Sequence, residues 1–134
     1  MKALHPYITF SGQCRQALKF YKECFAGEII TMRTFRDSPD EVADEFKNNI
    51  MHAEFKAEGI YFMASDAMPD DKVSIGNQIS LSIQFTDKEE QMKIFNFLSS
   101  NGSITIPLKN TFWGARFGTL TDQFGINWML NCQN

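Results

Sequence analysis

A chain of 134 residues, 43% hydrophobic and 22% charged, has the composition of one globular domain with an ordinary core, not of a disordered segment. Its net charge is −3, and its 13 Lys and Arg residues are scattered singly, which argues against a nucleic-acid surface. No apolar run approaches the roughly 20 residues needed to span a bilayer. The start, Met1-Lys2-Ala3-Leu4-His5-Pro6, carries no apolar signal segment. Cys14, Cys24 and Cys132 have no CxxC spacing and read as free thiols in a reducing, cytoplasmic setting.

Tyr7-Ile8-Thr9-Phe10 follows a proline and reads as a first strand. Ser11 is placed to cap a helix over residues 12–26, with Cys14, Ala17, Leu18, Tyr21, Cys24 and Phe25 on one apolar stripe and Gly27 as its left-handed terminator. A strand over 28–36 follows, then a polar loop or short helix over 37–48. Strands over 50–57 and 60–65 are joined by the tight-turn pair Glu58-Gly59. After a polar linker at about 67–76 the same order returns. A strand spans 78–85, and Thr86 or Asp87 with Glu90 forms a capping box for a helix over 88–100 with the stripe Gln91, Ile94, Phe95 and Leu98. Strands over 103–107, 115–121 and 126–130 close the chain, the last two joined by Asp122-Gln123-Phe124-Gly125. The pattern is βαβββ twice, in modules of about 1–66 and 77–134, within a single domain over 1–134.

The run from Thr111 to Trp128 contains WGxRxGxxxDxFGxxW, anchored on Trp113, Gly114, Arg116, Gly118, Asp122, Phe124, Gly125 and Trp128. With Pro6-Tyr7-Ile8, Ala17-Leu18, Gly27-Glu28-Ile29 and Met51-His52-Ala53-Glu54-Phe55, it resembles the PhnB-like branch of the vicinal-oxygen-chelate (glyoxalase/bleomycin-resistance/dioxygenase) superfamily. The resemblance implies an α+β glyoxalase/bleomycin-resistance-like fold. Two βαβββ modules then form curved mixed sheets around a cleft, usually in a homodimer with a small ligand inside. Some relatives are described as ubiquinone methyltransferases. No Gly-rich loop follows a strand here to hold a nucleotide-like methyl donor, so that activity is set aside.

Strand alternation divides the faces. His5, Tyr7 and Thr9 share one side of the first strand; His52, Glu54 and Lys56 stand opposite the apolar set Met51, Ala53 and Phe55. Gln78, Ser80 and Ser82 alternate with the aliphatic Ile79, Leu81 and Ile83, which should bury against the helix. The cleft-lining set is therefore His5, Tyr7, Thr9, His52, Glu54, Gln78, Ser80 and Ser82, with Arg116 near its mouth. Plainer readings make His5 a surface residue, His52 and Glu54 an exposed pair, and Arg116 a structural partner of Asp122 or Trp113. Trp113 and Trp128 read as core or dimer contacts, and the cysteines as core.

Metal-dependent members of the superfamily take ligands from the first and fourth strands of each half. Carried over, these positions are His5 and Gln78, Met63 and Met129. Thioethers stand where a hard divalent ion wants carboxylates, so no metal or other cofactor is expected. A substitute set of His5, His52 and Glu54 has the inventory of a catalytic zinc. The leading expectation is a homodimer that binds an unknown small molecule without a metal. The alternatives are an enzyme, using such a metal or His52 as a general base poised by Glu54, and a structural dimer with a vestigial cleft.

Overall fold

The computed structural model describes residues 2–134, and the chain divides into two compact units, Met1–Val73 and Ser74–Asn134. The boundary falls inside the polar stretch expected as a linker.

The first unit runs β1 (Tyr7–Phe10), α1 (Cys14–Phe25), β2 (Glu28–Thr34), β3 (Ile50–Ala57) and β4 (Ile60–Asp66), with single 3-10 turns at Phe35–Asp37 and Asp44–Phe46 between β2 and β3. The strands lie in the order β1-β4-β3-β2, parallel between β1 and β4 and antiparallel elsewhere. Helix α1 covers one face. Its buried stripe, Cys14, Ala17, Leu18 and Tyr21, meets Ile8, Phe10, Ala53, Phe55, Phe62 and Ala64 of the strands. Aromatic rings fill this core: Tyr21 stands edge-on to Phe62 at 5.8 Å, and Phe55 stacks on Phe62 at 4.9 Å.

Two end signals of α1 differ from expectation. Ser11 does not cap it; Gln13 is the N-cap residue and makes no side-chain cap. The buried Asp66, from the end of β4, accepts the Cys14 N–H at 2.9 Å instead, and with its other oxygen the Ile50 N–H at 2.8 Å. At the other end Ala26, not Gly27, takes the left-handed conformation, with φ 52°. Gly27 is needed for another reason. A Cβ there would come within 2.6 Å of the Phe55 ring and 2.8 Å of the Lys56 carbonyl.

The second unit repeats the plan with β5 (Leu81–Phe85), α2 (Lys88–Ser99), β6 (Ser103–Asn110), β7 (Ala115–Thr121) and β8 (Asn127–Gln133), in the order β5-β8-β7-β6. Its core is Phe85, Phe95, Leu98, Ala115, Leu120, Trp128, Leu130 and Cys132, with Gln91 wholly buried among them. Asp87 caps α2 by accepting the Glu89 N–H at 2.9 Å. Strand β5 starts at Leu81, three residues later than the alternation of residues 78–85 suggests. The Asn127 side chain donates to the carbonyls of Gly76 and Ile79, at 2.7 and 3.1 Å, and holds that stretch out of the ladder. Ile79 is consequently 77% exposed, and Leu81 and Ile83, expected to bury against the helix with it, are half-buried. The result is an α+β fold of two βαβββ modules, each a four-stranded mixed sheet with one helix on one face.

Candidate functional site

Each sheet has one face covered by its own helix and one that is not. On the uncovered face of the first sheet, the register sets Met63 of β4 between Tyr7 of β1 and Glu54 of β3. Tyr61, two residues before Met63, shares this face and stands opposite Lys56. The Tyr7 hydroxyl is hydrogen-bonded to His52 Nδ1 at 3.2 Å, the two rings 5.8 Å apart. Tyr7 donates when the ring proton sits on Nε2. The Tyr61 phenol is held above its ordinary pKa, first by desolvation, then by a hydrogen bond to the Glu54 carboxylate and by its negative charge. His5 lies just before β1, its ring edge-on to Tyr61 at 4.6 Å. Of the residues expected here from sequence, the structure thus brings Tyr7 to His52 directly. It links His5 and Glu54 through Tyr61, which the alternation of β4 places on the same face but which sequence reasoning did not select.

The uncovered face of the second sheet is uncharged at its centre. Asn131 donates to Gln84 at 2.8 Å, and Gln84 to Ser82 at 3.3 Å. Ser82 stands opposite Met129. Gln78 and Ser80 precede β5 and belong to no strand.

Arg116 is a correction. Its side chain turns to the helix-covered face, where Nε donates to Gln91 Oε1 at 2.9 Å and a terminal nitrogen donates to the Lys88 carbonyl. Gln91 in turn donates to the carbonyls of Arg116 and Leu130, at 2.8 and 3.1 Å, so the pair ties α2 to β7 and β8. Arg116 is thus a structural residue, as the plainer reading has it, with its hydrogen bonds made to α2. The buried Asp122 instead accepts the N–H groups of Phe124 and Ile126 at 2.9 and 3.0 Å and the Trp128 indole N–H at 2.9 Å. Gly118 lies where a Cβ would meet the Phe95 ring at 2.9 Å and the Ile106 carbonyl at 3.0 Å, and Gly125 closes its turn at φ 88°. Arg116, Gly118, Asp122, Gly125 and Trp128 of the C-terminal motif thus serve packing and the turn, while Trp113 is exposed.

Two of the three cysteines lie in the core, and Cys24 is half-buried. Cys14 and Cys132 are buried, and burial, reinforced by the Asp66 charge and opposed by Arg15, pushes the Cys14 thiol up to about 12.

The metal positions implied by the fold also shift. The register sets Tyr7, not His5, opposite Met63, and Ser82, not Gln78, opposite Met129. A phenol, a hydroxyl and two thioethers do not fit a hard divalent ion. Among the described residues no three His, Cys, Asp or Glu side chains gather as a metal site, so His5, His52 and Glu54 do not form the substitute set.

Comparison with known proteins agrees with this architecture. Residues 2–131 match the family model described as 3-demethylubiquinone-9 3-methyltransferase. The chain is 33% identical to Protein YjdN of Escherichia coli (strain K12), over 96% of this chain and 93% of that protein. It belongs to this PhnB-like family. Among solved structures, protein PA1353 from Pseudomonas aeruginosa is 36% identical with a TM-score of 0.86, covering 98% of each chain. The PhnB protein from Bacillus cereus is 25% identical with a TM-score of 0.84, over 98% of this chain and 99% of that one. The fosfomycin resistance protein FosX from Listeria monocytogenes, 12% identical with a TM-score of 0.69, shares the vicinal-oxygen-chelate fold. In this PhnB-like chain no helix of the described residues is long and apolar enough to cross a membrane.

Proposed function

We propose that this PhnB-like protein binds a small molecule on the uncovered face of its first sheet, without a resident metal. The observation that carries the reading is the pairing of Tyr7 with His52 and of Tyr61 with Glu54 around Met63, opposite the face that α1 buries. Four polar side chains already oriented by one another form a pre-organised lining, which lowers the cost of ordering them on binding. Methyl transfer, the activity named by the family model, has no Gly-rich cradle for a donor in this sequence. A second reading, general-base catalysis, is favoured by the same His52 contact. In the tautomer whose Nδ1–H donates to the Tyr7 oxygen, Nε2 is the unprotonated nitrogen that meets a substrate.

His52→Ala and Glu54→Ala should each weaken the ligand recovered with the protein while leaving the melting temperature nearly unchanged. A fall of several degrees with unaltered ligand retention would make the pair structural. Elemental analysis of the untagged protein should find no stoichiometric transition metal; close to one zinc, nickel, iron or manganese per chain would refute the metal-free reading.

The partner in this reading is a second copy. Strand β6 is a sheet edge, and beside it Phe112 is 97% and Trp113 53% exposed, an apolar surface that association would cover. Light scattering at micromolar concentration should give twice the chain mass of 15.4 kDa, and the monomer mass would sink the dimer. In a dimer, a cytoplasmic, ligand-sequestering role fits the free cysteines.

A further inference from the structure

The chemistry around Met63 points to a class of ligand. On the uncovered face of the first sheet the thioether is bracketed in register by Tyr7 and Glu54, with Tyr61 two residues along its own strand. His5 lies against Tyr61, and His52 against Tyr7. Aromatic rings and a polarizable sulfur around one half-buried carboxylate make the kind of surface that holds an organic cation. Ring quadrupoles attract the charge, while the carboxylate supplies a full counter-charge. Glu54 has the Tyr61 hydroxyl as a neutral partner, and it takes part in no ion pair among the described residues. Two cations share this face: Lys56, exposed, stands between Glu28 and Tyr61, and Arg33, also exposed, stands opposite His52; neither forms an ion pair with Glu54 among the described residues.

We propose that this face takes an alkylammonium group, seated over Met63 with its charge met by Glu54 and the rings of Tyr7 and Tyr61. The inference rests on the small-molecule reading above and adds the charge of the ligand. Three probes of similar size and shape separate the two: the tetramethylammonium ion, neutral tert-butanol and the pivalate anion. Each is titrated into the full chain and followed by the amide and tyrosine-ring resonances of β1, β3 and β4. Tetramethylammonium should bind about tenfold more tightly than tert-butanol, the size expected of a cation over aromatic rings beside a carboxylate. Glu54→Gln should weaken tetramethylammonium severalfold and so reduce that preference. Pivalate or tert-butanol binding as well as the cation would overturn the ammonium assignment and leave the small-molecule reading standing. No response of these strands to any of the three would overturn both. Cation binding that survives Glu54→Gln undiminished would overturn the role given to the carboxylate.

Discussion

Asp122→Ala should lower the melting temperature by about 10–15 °C. Asp122 is 3% exposed, and its carboxylate serves three donors at once, the N–H groups of Phe124 and Ile126 and the indole N–H of Trp128. Removing it strands these groups, two of them in the tight turn that aligns β8 beside β7 and one on a ring that is 2% exposed. A buried donor without a partner costs on the order of 1–3 kcal/mol. The backbone donors regain part of that from water once the turn loosens, so about 3 kcal/mol is the net expectation. In a domain of this size that corresponds to the stated fall. Asp122→Asn keeps one carbonyl oxygen for the two backbone donors and should lose about half as much. Calorimetry checks both. A fall of only a degree or two for Asp122→Ala would mean that the motif residue does not hold this turn.

That Asp122 belongs to a structural clamp bears on how much of this protein is legible in its sequence. The doubled βαβββ order, both helix stripes and the two hairpin turns follow from hydrophobic period and turn residues, and the sheets confirm them. The first sheet's faces follow from His52 onward, where His52 and Glu54 alternate with Ala53 and Phe55; before it a register shift in the β2–β3 pairing leaves Met51 half-buried and puts Ile50, not Met51, in the core. The second sheet's edge strand is less legible. Residues 78–80 alternate as a strand should, yet the Asn127 side chain captures the carbonyls of Gly76 and Ile79. Alternation cannot register a competing partner 48 to 51 positions away. Arg116 fails for a similar reason. A basic residue on a strand reads as solvent- or ligand-facing, whereas a buried glutamine on the facing helix gives its guanidinium a polar partner on the apolar side. Gln91 itself sits on the apolar stripe of α2, and that misfit was the available signal. Tyr61 is the opposite case, since its face is fixed by the same alternation that places Met63.

Asp66→Ala is expected to be as damaging, and for a reason no local sequence pattern discloses. Helix α1 begins with N–H groups that its N-cap residue Gln13 does not satisfy through a side chain. Asp66, 4% exposed at the end of β4, fills that role from 52 positions away by accepting from Cys14, while its second oxygen holds the Ile50 N–H at the start of β3. One carboxylate therefore joins helix and sheet, and its charge lies at the helix N-terminus, where the dipole favours it. Alanine leaves two buried N–H groups unpaired and removes that charge, an expected loss of about 3 kcal/mol or about 10–15 °C in melting temperature. Asp66→Asn retains one acceptor oxygen but turns an amide N–H toward the other donor, so it should recover less than half of this. Hydrogen exchange separates the effect from a general loss of stability. In Asp66→Ala the amides of Cys14 and Ile50 should exchange faster than global unfolding allows, whereas those of Phe124 and Ile126, held by Asp122, should follow the global rate. Equal acceleration at all four amides would show that Asp66 acts only through overall stability, and unchanged protection at Cys14 and Ile50 would show that the two N–H groups have another acceptor.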